Sequence, residues 1–224
     1  MTDAHFHRSA ETLASLNGRE FRFCGVHPWN AGTVDIADST ARFRSILEAD
    51  ASVGVGEIGL DRLRTKAVPA VQREVFSAQL ELAAEMGRPV VLHGAKCWGE
   101  VVKAIRPHVG RIPAFLFHGF SRSDGLLPDI VAVNGFVGVG KAVLNDHAVN
   151  YREMVRRLPR ERILIETDHD GVSEDGRIAA LAAVTEKVAE LTSLPETQFA
   201  ANAASFLEAL AGGRQEGPER SGMV

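Results

Sequence analysis

The sequence is short of the features that mark several large classes of protein. Its 224 residues include only two cysteines, Cys24 and Cys97, and we expect both to be reduced thiols in the core rather than a disulfide. No apolar run approaches the roughly 20 residues that a membrane helix needs. The N-terminus lacks a charged-then-apolar signal segment. We therefore expect a cytoplasmic protein that does not enter a membrane.

An excess of positive charge is also absent. The formal net charge is −4, so any contact with nucleic acid would have to be local and helped by metal ions. A glycine-rich dinucleotide loop is missing too, because Gly138-Val139-Gly140 lacks the spacing and the following helix of a phosphate cradle. The sequence thus shows no redox or group-transfer signature.

What the sequence does contain is a regular alternation of short apolar runs and longer amphipathic segments. Several runs are continuously apolar, as expected of strands that are buried on both faces. In the helical segment 71–86, Gly87 is placed to end the helix and Pro89 to prevent its resumption. The alternation predicts an α/β fold with a parallel sheet, and its length favours a (β/α) barrel of the TIM type. The predicted strands are 3–7, 21–27, 53–59, 90–93, 114–120, 136–140 and 163–168.

These are seven strands, whereas a full barrel has eight. Only about one helix fits between His7 and Phe21, so the missing β/α unit is predicted near the N-terminus. Either seven strands close the wall or a gap stays open beside the first strand. Residues 1–211 are predicted to form a single barrel domain, and the polar stretch 212–224 a flexible tail.

Side chains that bind metals recur at the ends of the apolar runs. Alternation along a strand puts His5 and His7 of the opening Asp3-Ala4-His5-Phe6-His7 on one face, where two imidazoles can hold one divalent cation. The carboxyl ends of barrel strands meet at one mouth. Imidazoles and carboxylates that converge there would stay unsatisfied without a cation. The residues expected at this mouth are His5, His7, His27, Glu57, His93, His118 and Asp168.

This set predicts two divalent metal ions. The two histidines of the opening motif and Asp168 would hold the first ion, because their strands are neighbours across the barrel closure. His93 and His118 would hold the second, and Glu57 would bridge the two with separate oxygens. Two ions so held lower the pKa of a shared water and clamp the oxygens of the attacked group, which predicts a hydrolase. Histidine-rich ligation favours Zn, Mn, Fe or Ni over Mg.

The chain resembles the TatD-type deoxyribonuclease family of metal-dependent hydrolases, within the larger amidohydrolase-like barrel superfamily. The matching segments run in family order over nearly the whole chain, and the block around Glu57 is especially specific. They are Asp3 to His7 (DAHFH), Gly25 to Pro28 (GVHP), Val55 to Asp61 (VGEIGLD), Gln72 to Ala83, Pro89 to His93 (PVVLH), Phe117 to Ser121 (FHGFS), Ile163 to Asp168 (ILIETD), and Asn202 with Phe206.

The resemblance implies the same ligand set, with His93 and His118 on one ion and Glu57 as the bridge. It implies that Asp168, on the other ion, helps to position or deprotonate the attacking water, which makes Asp168 and Glu57 the catalytic pair. His27 would contact the substrate or support a ligand. Positions implied to be structural or supporting are Asp61, Glu166 and Asn202.

Three departures from the family pattern concern the substrate. The β/α unit between the His-x-His and Gly-x-His-Pro motifs is missing. Ala95 stands where the family usually has an arginine two places after the histidine, and Lys96 beside it is expected to bind substrate as a point charge. His169-Asp170-Gly171 replaces the usual proline-containing loop.

Three functions follow from these observations. The leading one is hydrolysis of a phosphodiester, in nucleic acid or a small molecule, by a nuclease-like enzyme. The second is hydrolysis of a small amide, ester or lactone, favoured by Ala95 and the negative net charge. The third is a metal-binding or partner-binding relative with little catalysis, favoured by an open side of the barrel. Trp29, Trp98 and Phe120, near strand ends, either stack on a nucleobase or roof the core.

Overall fold

The computed structural model describes residues 1–8, 11–63, 68–121, 124–169 and 173–211. These residues form one eight-stranded sheet whose strand order follows the chain. The strands are β1 (Thr2–Arg8), β2 (Glu11–Leu16), β3 (Arg19–Cys24), β4 (Gly54–Asp61), β5 (Val90–Ala95), β6 (Phe115–Phe117), β7 (Gly135–Val139) and β8 (Ile163–Ile165). The α-helices are α1 (Ile36–Ala49), α2 (Ala70–Met86), α3 (Trp98–Ile105), α4 (Leu127–Ala132), α5 (Val149–Arg157), α6 (Glu174–Thr192) and α7 (Glu196–Ala211).

Strands β3 to β8 run parallel, and each connection between them contains a helix. This confirms the predicted TIM-type architecture. β4 is buried along its whole length, because the barrel interior covers one face and helices cover the other. Three predicted strands are shorter than expected, so His27, His118 and Asp168 lie in the loops just beyond β3, β6 and β8.

The N-terminal wall differs from the rest. β2 lies antiparallel between β1 and β3, so β1 remains parallel to the other strands. The prediction of a helix between His7 and Phe21, and of only seven strands, is wrong, because residues 11–16 form the additional strand. A β/α unit is indeed missing there, since a hairpin needs far fewer residues than a helical crossover. β2 occupies the wall position where a gap was expected.

The barrel closes where β1 meets the segment after β8. The backbone N–H groups of Thr167 and Asp168 donate to the carbonyl oxygen of His5 at 3.3 and 3.1 Å. The fully buried Asp3 accepts from the backbone N–H of Thr167 at 3.0 Å and from its hydroxyl at 2.8 Å. These bonds hold the first strand beside the loop that carries Asp168.

Helix α7 fills the opposite mouth of the barrel. Phe206 stacks on Phe23 with ring centroids 6.1 Å apart and meets Phe136 at 5.9 Å. Asn202 donates to the carbonyl oxygen of Ile163 at 2.8 Å, where β8 begins. Apolar side chains therefore occupy this end, and the polar side chains collect at the carboxyl ends of the strands.

Two further sequence expectations concern the chain as a whole. Cys24 and Cys97 are both free thiols. Within the described ranges, no helix combines the length and apolarity needed to cross a membrane. The predicted tail, 212–224, lies outside the described residues.

Arg177→Ala is expected to lower the free energy of unfolding by about 3 kcal/mol. Arg177 of α6 is buried and donates to Asp3 Oδ2 at 2.9 Å, and burial already raises the pKa of that carboxyl. Urea unfolding measures the change. Arg156→Ala, on the exposed side of α5, is the matched control, and equal unfolding free energies for the two variants would contradict the prediction.

Candidate metal centre

The fold brings all six predicted metal ligands, together with His27, to one mouth of the barrel. β1 supplies two of them, β4 and β5 supply one each, and the loops after β6 and β8 supply the others. Candidate ligand atoms form three groups, within each of which all atoms lie within 4.8 Å of one another. The groups are His5, His7 and Glu57; His5, His118 and Asp168; and His27, Glu57 and His93.

Glu57 lies at the centre, and its two oxygens face different histidines. Oε2 lies 3.6 Å from His5 Nε2 and 3.7 Å from His7 Nε2. Oε1 lies 2.7 Å from His93 Nδ1 and 4.0 Å from His118 Nε2. This two-sided arrangement supports the predicted bridging role, in which each oxygen serves a different ion.

His118 and His27 make the division between two ions less simple than the sequence suggests. The Nε2 atom of His118 also lies 3.6 Å from Asp168 Oδ1, and its ring centroid lies 3.8 Å from that of His5. Its pairing with His93 therefore stays a prediction. His27 Nε2 lies 3.2 Å from His93 Nδ1, so His27 is close enough to serve as a ligand as well as a substrate contact.

The donor set fits a divalent ion. His5 is fully buried, and neither of its ring nitrogens has a hydrogen-bond partner within the described part of the chain. An imidazole in that position is costly unless something binds it. Its Nε2 lies 3.7 Å from Asp168 Oδ1, close to the roughly 3 to 3.5 Å that separates two ligands bound at about 2.1 Å to one ion. Imidazole and carboxylate donors together suit Zn, Mn or Fe.

The surroundings keep His5, His27 and Glu57 in protonation states that suit metal ligation. Burial lowers the pKa of His5 well below its usual value and that of His27 to about 4, so both imidazoles are neutral and offer a lone pair. Burial alone would raise the pKa of Glu57, but the hydrogen bond with His93 and the surrounding imidazoles hold it well below its ordinary value. Loss of hydration at the crowded mouth raises the pKa of Asp168. Of the two carboxylates, Glu57 is buried, whereas 56% of the Asp168 side chain is exposed at the mouth.

Two buried carboxylates contact the ligand histidines from behind. Asp61 Oδ2 lies 3.0 Å from His93 Nε2, and Glu166 Oε2 lies 3.1 Å from His118 Nδ1. Burial would lower the pKa of His118, but Glu166 outweighs it and raises that pKa to about 10. A carboxylate in this place fixes the orientation of a ligating imidazole and makes it more basic.

Gly138 on β7 makes room for Glu166. A Cβ at position 138 would lie 2.0 Å from Glu166 Oε2, whereas a Cβ at Gly140 would lie 3.6 Å from the nearest Glu166 atom. The Gly-Val-Gly segment therefore has a packing role beside the metal centre rather than a phosphate-binding one. Sequence reasoning missed this role, although a glycine inside a predicted strand signals a close approach by another group.

Asp168 and Lys96 both have left-handed backbone conformations, with φ of +48° and +57°. This conformation costs a residue with a Cβ about 1 kcal/mol or more, and residues that adopt it cluster at functional sites. His169 follows within the described residues, whereas Asp170 and Gly171 of the departing loop lie outside them.

A cleft of about 920 Å³ extends from the metal centre along α3. Its lining includes His93 and His118, together with Lys96, Arg62 and Glu100, and Arg62 Nη1 lies 3.7 Å from Glu100 Oε1. Lys96 lines the same cleft as two predicted metal ligands, and its contact with substrate stays a prediction. Arg62 is missing from the predicted site, although it directly follows the block that ends at Asp61.

The three aromatic residues near strand ends differ in their exposure to solvent. Trp98 and Phe120 are buried and pack against each other with ring centroids 5.4 Å apart, so both roof the core. Trp29 is 52% exposed and lines a second cleft, of about 400 Å³, beside the metal ligands.

Comparison with known proteins agrees with the geometry. The family model described as "TatD related DNase" matches residues 1–211. The "3'-5' ssDNA/RNA exonuclease TatD" of Yersinia pseudotuberculosis is 34% identical over 170 residues, which cover 75% of this chain and 65% of that protein. The protein of the same name from Enterobacter lignolyticus is 30% identical over 168 residues, covering 75% and 64%.

Solved structures show the same fold. A TatD homologue from Escherichia coli superposes with a TM-score of 0.70 at 25% identity, over 85% of this chain and 76% of that one. A TatD family hydrolase from Entamoeba histolytica gives a TM-score of 0.66 at 15% identity, over 82% and 73%. The chain spans 54–65% of the length of the curated relatives it matches. From the family match over residues 1–211, and with a cluster of candidate metal ligands at the expected mouth, we conclude that this chain belongs to the TatD-related DNase family.

Proposed function

We propose that this protein is a two-metal hydrolase that cleaves phosphodiester bonds in single-stranded nucleic acid from the 3′ end. The observation that carries the proposal is the position of Glu57, with one oxygen towards His5 and His7 and the other towards His93 and His118. The exonuclease direction and the single-stranded substrate come from the printed names of the relatives.

Divalent ions in this cluster would polarise a phosphoryl oxygen and lower the pKa of a water. The chain itself would supply the proton acceptor. Asp168 faces the cleft beside His7 and His27, and 56% of its side chain is exposed, so it would reach the attacking water and accept its proton. Glu57, whose pKa is held low, stays ionised and would be a ligand to both ions.

The cleft favours a phosphodiester over an amide, ester or lactone. Lys96 and Arg62 place two cations in the cleft that His93 and His118 also line, where they would contact phosphates that flank the cleaved bond. Arg62 also pairs with Glu100 of the same lining, at 3.7 Å, so Lys96 is the cation of this cleft that has no partner carboxylate among the described residues. The two cations offset the missing arginine at Ala95, on which the small-molecule alternative depends. The partner-binding alternative depends on an open wall, and β2 fills that wall.

A cytoplasmic location is part of the same proposal. Cys24 and Cys97 are both unpaired, and burial raises the pKa of each thiol to about 11. Two inert thiols are typical of proteins from a reducing compartment.

The test uses a single-stranded oligonucleotide labelled at its 5′ end. Protein loaded with Zn²⁺ or Mn²⁺ is expected to shorten it stepwise from the 3′ end, and protein stripped with a chelator to leave it intact. Elemental analysis is expected to find two ions per chain. An intact oligonucleotide with every metal tried, together with acid release from an ester or lactone panel, would overturn the proposal in favour of the small-molecule alternative.

A further inference from the structure

We infer that Trp29 is the platform on which a nucleobase of the substrate stacks beside the metal centre, an inference that rests on the proposed function. A tryptophan is usually well buried in a folded protein, yet 52% of the surface of Trp29 is exposed. This exposed surface belongs to the cleft of about 400 Å³ that also contains Glu57 and Asp168. A base on Trp29 would therefore lie next to the residues proposed to cleave the chain.

The ring is held in place rather than left to move. Its Nε1–H donates to Asp61 Oδ2 at 2.7 Å, and the backbone N–H of Trp29 donates to His27 Nδ1 at 3.2 Å. The His27 ring meets the indole edge-on, with centroids 4.8 Å apart. A fixed aromatic surface loses little conformational entropy when a planar ligand stacks on it.

The same carboxylate oxygen joins Trp29 to a predicted metal ligand. Asp61 Oδ2 accepts from Trp29 Nε1 and also lies 3.0 Å from His93 Nε2. The indole therefore keeps a fixed position relative to His93, with ring centroids 6.4 Å apart. A stacked base would place its phosphate at a constant distance from the metal centre, whatever the identity of the base, because every base offers a π-face.

Two variants separate stacking from support of Asp61. Trp29→Phe keeps an aromatic face but loses the hydrogen bond to Asp61, whereas Trp29→Ala loses both. The substrates are two single-stranded oligonucleotides, one of them lacking the base beside the 3′-terminal phosphodiester. We expect the native protein to show a KM about tenfold lower for the complete oligonucleotide. Trp29→Ala is expected to lose this preference and Trp29→Phe to keep most of it.

A binding readout keeps this inference distinct from the proposed function. Titration with oligothymidylate is expected to quench the fluorescence of Trp29, and the quenching is expected to disappear in Trp29→Phe, since the other tryptophan, Trp98, is buried.

Quenching without cleavage of any oligonucleotide would support stacking and contradict the nuclease proposal. Cleavage with the same KM ratio in the native protein and in Trp29→Ala would overturn the stacking inference and leave the nuclease proposal intact. Equal loss of the preference in both variants would assign Trp29 to the support of Asp61 instead.

Discussion

Glu57→Gln is expected to lower kcat on a single-stranded oligonucleotide by about a thousandfold, which corresponds to about 4 kcal/mol in activation free energy. Glutamine keeps the shape of the side chain, but its amide nitrogen donates protons and offers no lone pair to a cation. The buried carboxylate contacts histidines through both oxygens. One substitution therefore removes a donor oxygen from one predicted ion site and the negative charge of the carboxylate from both.

Elemental analysis of the purified variant provides a readout that does not depend on activity. We expect Glu57→Gln to retain fewer than two ions per chain under conditions that load the native protein. Glu85→Gln is the matched control, because Glu85 is an exposed carboxylate of α2 that pairs with Arg44. Two retained ions and a kcat within tenfold of the control would show that Glu57 does not bridge.

Most of the parallel barrel follows from sequence because its strands are buried on both faces. Continuous apolar runs identify them, and Gly87 ends α2 in a left-handed conformation, φ +60°, as its position predicts. The sequence does not predict β2 because the apolar residues of Glu11–Leu16, at positions 13, 14 and 16, fit one turn of helix as well as a strand. Residues 11–16 form a strand because they pair with β1 on one side and with β3 on the other. This pairing is set by the tertiary fold rather than by the local sequence.

The candidate site likewise contains residues that the sequence predicts and contacts that it does not predict. The candidate ligands can be found in the sequence because barrel geometry brings strand ends together, whatever the intervening loops do. Contacts between side chains of neighbouring strands cannot be predicted from the sequence. The hydrogen bond between Trp29 and Asp61 joins residues 32 positions apart, and the distance between Glu166 and Gly138 depends on the register of β7 against the end of β8. Only coordinates reveal such pairs, and both lie directly behind predicted ligands.

Gly138→Ala is expected to reduce kcat/KM on the oligonucleotide by 10- to 100-fold, the usual effect of disturbing a residue that supports a metal ligand. The new Cβ would lie 2.0 Å from Glu166 Oε2, a separation that forces the carboxylate to move. Glu166 would then lose its position 3.1 Å from His118 Nδ1, and its hydrogen bond from the Gly119 N–H at 2.8 Å would be strained.

Gly140→Ala is a close control for this substitution, since it adds the same methyl group two residues further along. Its Cβ would lie 3.6 Å from the nearest Glu166 atom, an ordinary van der Waals contact, and we expect nearly native activity. Metal affinity, measured by competition with a chelating dye, is expected to fall in Gly138→Ala and to stay unchanged in the control. Equal affinities in the two variants would mean that Glu166 does not hold His118 for a metal ion, and the buried carboxylate would then serve only the loop after β6 through Gly119.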